Sequence, residues 1–514
     1  MRDDTGARRV WGGRSAALCR DVAAAMLLLV LSIPSVMAQE PGDDPRSADP
    51  TWAQGRGQIA ERLAATPLTG HARNVILFIG DGMGVSTVTA MRIYAGQQKG
   101  LRGEEYELPF ERFPFTALVK TYNVNAQVPD SAGTASALYT GIKTDIGVLS
   151  IRAGAHGDCA AMQAVPTIVE ELEDRGYATG IVTTTRLTHA TPAAAYAHAP
   201  DRDWEADADM PPAASALGCR DIAAQFAAFS HGDGIDVALG GGRANFLPAS
   251  RGGRRGDGRD LIAAWRAGGD HRQVVTTAGA LAQFAPGPED QLLGLFSDSH
   301  MAFDHDRRAG GLDQPSLAEM TAAAIRLLQA RTAGRAHGFF LMVEGGRIDH
   351  AHHAGNAFRA LDDGRAFAEA VERAMAMVDP ADTLVLVTAD HSHVFAIAGY
   401  PPRGNPILGL VRAIAPDADG HHPIAKAADG RPYTTLGYLN GPGAGRRLPA
   451  DADDRLVLEP GYRQEAVVPL NSETHSGEDV PLYAIGPGAR LARGVMEQNA
   501  VYHLMRTALG LDDR

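Results

Sequence analysis

The sequence predicts an α/β protein with a large, mainly parallel central sheet flanked by helices and interrupted by one long insertion. Three observations predict it. Short β-rich or apolar runs recur at 75–79, 178–184, 235–239, 338–343, 383–388 and 481–485. Helical stretches follow several of them, as at 316–331 and 357–377, with apolar residues three to four apart. The runs are apolar at nearly every position instead of alternating, which suits strands buried on both faces.

In chain order, Arg8, Arg9, Arg14 and Arg20 precede an apolar run at 22–33, and Val36-Met37-Ala38 offers a small-residue cleavage site. That is the layout of a secretory signal peptide, and the run is short for a membrane span. Residues 1–38 are therefore expected to be removed, with export to a periplasm or beyond the cell and no stable membrane anchor. The alternative is an N-terminal anchor with a long leader. Residues 39–70 open Pro/Asp/Gly-rich, as a mobile start, and then suit a helix around 58–65. Gly and Arg crowd 250–259, an exposed loop, while 401–470 is Gly/Pro-rich and weakly patterned, an insertion that returns to the sheet before Pro481. Residues 39–514 otherwise read as one α/β domain.

Of 514 residues, 45% are hydrophobic and 21% charged, a folded globular composition. The 48 Lys+Arg against 61 Asp+Glu give −13, and losing five Arg and three Asp with the leader leaves −15. So acidic a chain lacks the basic face that nucleic acid or anionic lipid requires. Any phosphate chemistry needs locally placed positive charge. Cys19 leaves with the leader; the remaining pair, Cys159 and Cys219, reads as one disulfide of ~4 kcal/mol or as two separate buried thiols.

Acidic and imidazole residues fall at the ends of the predicted strands. Asp81 follows the first run in Gly80-Asp81-Gly82-Met83-Gly84, Thr191 comes soon after the second, Glu344 follows the fourth, and Asp390-His391 follow the fifth. In an open parallel sheet the carboxyl ends of the strands form one edge, where ligands bind. Asp349 and His353 stand four apart and can share one helix face around one metal, whereas His393 reads as a solvated strand end. Imidazole with carboxylate and no thiolate suits zinc, and the oxygen set Asp81, Thr191 and Glu344 suits magnesium. The zincin signature His-Glu-x-x-His is absent. Ser131 precedes a helical stretch at 132–139, so it stands at a helix N-terminus that favours an alkoxide and a bound anion, or serves as an ordinary N-cap.

Together these motifs resemble the alkaline phosphatases, from about Asn74 to near the C-terminus. Six blocks carry the resemblance, in the family's order: Phe78-Ile-Gly-Asp-Gly-Met-Gly84, Asp130-Ser-Ala-Gly-Thr134, His189-Ala-Thr-Pro192, Glu344-Gly-Gly-Arg-Ile-Asp-His350, Thr388-Ala-Asp-His-Ser-His393 and Glu473-Thr-His-Ser-Gly-Glu-Asp479. The resemblance implies hydrolysis of phosphate monoesters with Ser131 as the nucleophile that becomes phosphoserine. It implies two Zn²⁺ and one Mg²⁺. Asp81, Asp390 and His391 would hold the zinc beside Ser131; Asp349, His353 and His475 the other zinc; Asp81, Thr191 and Glu344 the magnesium. Arg202, in Asp201-Arg-Asp-Trp204, matches the phosphate clamp, whose guanidinium fork suits two non-bridging oxygens. Three divalent cations with Arg202 would make a small cationic pocket in an acidic protein.

His189, beside the magnesium set, stands where enterobacterial members have Asp, so the chain resembles the animal type. Cys159 and Cys219 match an animal-type disulfide. Ser297 follows Gly294-Leu-Phe296 where animal-type members place a Glu, which leaves their calcium site without that carboxylate. The 401–470 insertion resembles the family's crown, which implies a homodimer. A phosphodiesterase or another phospho- or sulfo-hydrolase of the superfamily is the alternative; the Ser131 block and Arg202 favour the monoesterase.

Overall fold

The computed structural model describes residues 68–511 together with helical residues 54, 56, 57, 59 and 60. The leader at 1–38 lies outside the described residues, as does most of the helix expected around 58–65.

The strands in chain order are β1 (Asn74–Ile79), β2 (Phe115–Lys120), β3 (Ala178–Arg186), β4 (Val237–Gly241), β5 (Arg272–Val275), β6 (Gln291–Leu295), β7 (Phe339–Glu344) and β8 (Thr383–Thr388). They continue with β9 (Ser392–His393), β10 (Phe395–Ile397), β11 (Leu436–Gly441), β12 (Ala466–Pro469), β13 (His475–Ser476), β14 (Val480–Ile485) and β15 (Gly494–Glu497). Ten form one sheet in the order β15-β2-β14-β8-β1-β7-β3-β4-β6-β5. Every pairing in it is parallel except those of β14 with β8 and β2. The α/β expectation holds. The run expected at 235–239 begins two residues later, and β2, β5, β6 and β15 carry no run strong enough to announce them. β2 and β5 are half-exposed, so their apolar signal is diluted by polar positions.

β1, β7 and β8 are the fully buried centre, which is why their sequences are apolar on both faces. The helices Leu317–Thr332 and Ala357–Met375 cover the sheet where the periodicity predicts them. The first opens with a Ser316/Glu319 capping box, and Asn356 Oδ1 caps the second at Arg359 N, 2.9 Å. Residues 395–469 add a separate three-stranded sheet, β10-β11-β12, whose Phe395, Leu436 and Tyr438 join the main core, and a small second core of Leu410, Leu448, Ala452, Val457 and Tyr462. Its first strand, β10, precedes the expected insertion at 401–470. Cys159 and Cys219 are joined by a disulfide across 60 residues of chain. Among the described residues no helix is long and apolar enough to cross a membrane.

Candidate active site

Register decides what the sheet edge presents. Ile79 at the end of β1 pairs with Glu344 of β7 on one side and Thr388 of β8 on the other. Asp81, Glu344 and Asp390 thus emerge at one level from three adjacent strands, each completely buried. The turn after β1 must be glycine-rich to fit: Gly82 has φ +69°, and a Cβ there would meet the His393 ring at 2.3 Å.

Asp349 and His353 lie on the helix Arg347–His353, where one turn brings Asp349 Oδ1 to 3.3 Å from His353 Nε2. His475 arrives from far along the chain through the two-residue ladder of β13 with β9, which pairs it opposite His393. Its Nε2 stands 3.1 Å from His353 Nε2 and 3.3 Å from Asp349 Oδ1. Both imidazoles donate through Nδ1 to carbonyls, His353 to Glu473 at 2.6 Å and His475 to Pro129 at 2.8 Å. Their Nε2 lone pairs therefore face one another, an arrangement that a cation stabilises. A tetrahedral ion with bonds of about 2.0–2.1 Å spaces its ligands about 3.3–3.4 Å apart, and this triangle's edges of 3.1–3.3 Å come close to that.

A second such group surrounds His391 Nε2. Ser131 Oγ lies 3.1 Å from it, Asp81 Oδ1 3.4 Å and Asp390 Oδ2 3.4 Å. Ser131 is the first residue of the helix Ser131–Thr140, whose cap is Asp130, not Ser131 itself. Both Asp81 oxygens, Asp390 Oδ2, Thr191 Oγ1 and Glu344 Oε1 are buried without a hydrogen-bond partner. Burial, reinforced by Asp390, Asp349 and Glu344, pushes the Asp81 carboxyl well above the ordinary carboxylate range. Bound cations reverse that penalty. Asp81 and Glu344 also converge with His189. The residues present thus fit divalent cations on orphaned oxygens, lone-pair direction and spacing.

Arg202 donates through Nη1 to Asp130 Oδ2 at 2.9 Å, and its Nη2 lies 3.2 Å from His189 Nε2. Asp130 is a residue that sequence reasoning passed over. Its Oδ1 caps the Ser131 helix at Gly133 N, 3.1 Å, while Oδ2 also accepts from Gly147 N at 3.1 Å. One carboxylate thereby fixes the Ser131 helix and the Arg202 guanidinium together; an Asp just before a helical run was the available signal. His393 was also misjudged. It is not solvated but fully buried, bridging Asp349 Oδ1 at 2.8 Å and Glu473 Oε2 at 2.6 Å. Burial pulls its pKa down, but Glu473 and Asp349 outweigh burial and push it up to about 10. Glu473, whose Oε1 also accepts from Val394 N at 2.9 Å, had no local signal, because its partner lies 80 residues away.

The described residues match the family model for alkaline phosphatase over 72–511. The tissue-nonspecific alkaline phosphatase of Gallus gallus is 45% identical over 487 residues, covering 90% of each chain. The Homo sapiens isozyme of the same name is 43% identical over 461 residues, 86% of this chain and 84% of that one. Among solved structures, the alkaline phosphatase of Thermus thermophilus aligns with TM-score 0.62 and 30% identity over 89% of this chain and 95% of its own. That of the Antarctic bacterium TAB5, 24% identical with TM-score 0.57 over 86% and 99%, shares the fold. The chain belongs to the alkaline phosphatase family.

Proposed function

We propose that the protein hydrolyses phosphate monoesters to an alcohol and inorganic phosphate through a phosphoserine at Ser131. The observation that carries this reading is the pair of ligand clusters with tetrahedral spacing, one of which includes the Ser131 hydroxyl. Asp349, His353 and His475 would hold one Zn²⁺, and Asp81, Asp390 and His391 the other. Asp81, Thr191 and Glu344 would hold Mg²⁺, with His189 alongside; a TAB5 variant carrying Asp for His is described with magnesium in its M3 site. When bound, the cations lower the pKa of the Ser131 hydroxyl and neutralise charge on the entering and leaving oxygens.

The chain's own residues do the positioning. Ser131 Oγ attacks phosphorus in line, the P–O bond to the alcohol breaks, and the departing oxygen takes a proton. Water then attacks the phosphoserine, the P–Oγ bond breaks and Ser131 regains its proton. Arg202 directs its fork at two non-bridging oxygens, held in place by Asp130 and His189. The helix N-terminus at Ser131 adds its partial positive charge to the same phosphoryl group.

The same reading includes a cleaved leader at 1–38, export, and a catalytic domain over 39–514 whose crown-like insertion spans 401–470. The insertion exposes Val467 (75%), Ile414 (67%) and Leu439 (58%), and Tyr400 (88%) stands just before it. So much exposed apolar surface on one substructure supports a homodimer formed through it.

Ser131→Ala is expected to abolish trapping of ³²P-labelled phosphoenzyme at acid pH, and a chelator to remove p-nitrophenyl phosphate hydrolysis until Zn²⁺ and Mg²⁺ return. An undiminished covalent signal in S131A, or full activity in the metal-stripped wild type, would overturn the assignment.

A further inference from the structure

One strand of the insertion reaches the Asp349, His353 and His475 cluster from two directions. Side chains alternate along β11, so Tyr438 and Asn440 share one face while Leu439, between them, is exposed on the other. The Tyr438 hydroxyl is buried and stands 2.9 Å from His352 Nδ1. The opposite nitrogen of that ring, Nε2, lies 3.1 Å from Thr87 Oγ1 on the helix Val85–Gln98. A neutral imidazole has one donor and one acceptor, and a hydroxyl takes either role, so the fully buried His352 ring is satisfied at both ends. His352 precedes His353 in the chain, and its ring packs at 4.8 Å on that of His393, which bonds Asp349 Oδ1 at 2.8 Å.

Asn440 acts beside the third ligand. Its Oδ1 accepts from Thr474 N at 3.0 Å and its Nδ2 donates to Thr474 Oγ1 at 2.9 Å, which fixes the residue just before His475. Between the two contacts the Val394 carbonyl accepts from Leu439 N at 2.9 Å, and Val394 N donates to Glu473 Oε1 at 2.9 Å. If β11 served packing alone, apolar side chains would suffice at Tyr438. A buried Tyr-His-Thr chain instead costs desolvation of every member and repays it by fixing ring orientation. That orientation matters here because converging lone pairs repel one another. A scaffold that holds them together lowers the cost of assembling the site when a cation arrives. The other cluster has different supports: the register of β1 with β8, and Gln498, whose Nε2 donates to the Asp390 carbonyl at 2.7 Å.

We infer that Tyr438 and Asn440 are positioning residues through which the insertion sets the zinc affinity of the Asp349, His353 and His475 site, separately from that of the Asp81, Asp390 and His391 site. The inference rests on the zinc reading proposed above. Neither residue touches the metal; each acts through the neighbour of a ligand.

The test equilibrates metal-loaded enzyme, in solution and as crystals, with chelator buffers of graded free Zn²⁺. Plasma mass spectrometry reads total zinc, and anomalous peak heights at the zinc edge read each site. Tyr438→Phe keeps the ring and removes the hydroxyl. It is expected to raise the free Zn²⁺ needed to half-fill the site beside His475 by about tenfold, the lower end of the effect of outer partners on metal affinity, with the site beside Asp390 unmoved. Asn440→Ala, at a half-buried position, should shift the same site by about threefold. Asn440→Asp keeps the acceptor for Thr474 N and should hold the wild-type affinity. Wild-type zinc affinity in both Y438F and N440A would overturn the inference, and so would an equal shift at both sites, which marks general loosening of the fold. Wild type that holds no zinc beside His475 overturns the site itself, and the two failures are thereby distinct.

Discussion

Asp130 connects the Ser131 helix to Arg202, and Asp130→Asn separates those two contacts. Its Oδ1 caps Gly133 N and its Oδ2 accepts from Arg202 Nη1. Asn caps helices about as well as Asp, but the NH₂ that replaces Oδ2 cannot accept from a guanidinium. The Arg202 and Asp130 side chains are 21% and 12% exposed. Their bond therefore lies between a surface ion pair and a buried charged hydrogen bond, ~1–2 kcal/mol. D130N should lose that much stability in urea unfolding of the metal-loaded enzyme. If Arg202 binds phosphate from the position Asp130 gives it, the inhibition constant of inorganic phosphate should rise by about 5–30-fold, at 1.4 kcal/mol per tenfold. Asp130→Ala should lose a further ~1 kcal/mol with the cap. Wild-type phosphate inhibition in D130N, alongside reduced stability in D130A, would show Asp130 to be a helix cap alone and refute its coupling to Arg202.

Further perturbations test the scaffold. Replacing Cys159 and Cys219 together by Ala reopens a 60-residue loop and should cost ~4 kcal/mol on the chain-entropy model; an unchanged urea midpoint would mean that the bridge does not form. Glu173 is buried beside Asp236, and burial first, then Asp236, raise its pKa above the ordinary 4.5. Its unfolded carboxyl releases a proton that the folded one keeps, so this residue makes stability fall as pH climbs above 4.5. Glu173→Gln removes that contribution, and the loss of melting temperature between about pH 6 and about pH 9 should shrink. A loss as large as in wild type would show that Glu173 ionises normally in the fold.

The sequence alone determined the class of fold and the family. Strands such as β1, β7 and β8 are buried on both faces, so their apolar runs are unambiguous, and carboxylates at or just beyond the ends of such strands, as Asp81, Glu344 and Asp390 are, are legible as strand-end residues. Asp349 and His353 were legible because helical spacing is local. What only the tertiary structure decided depends on contacts between distant segments. His475 reaches the site through a two-residue ladder with β9, and Glu473 and His393 become one buried bridge behind Asp349 across 80 residues of chain. The contacts of Tyr438 with His352 and of Asn440 with Thr474 are of the same kind. Periodicity reports how a residue relates to its own helix or strand; it carries no term for the register between segments, and at this sheet edge that register decides which lone pairs converge.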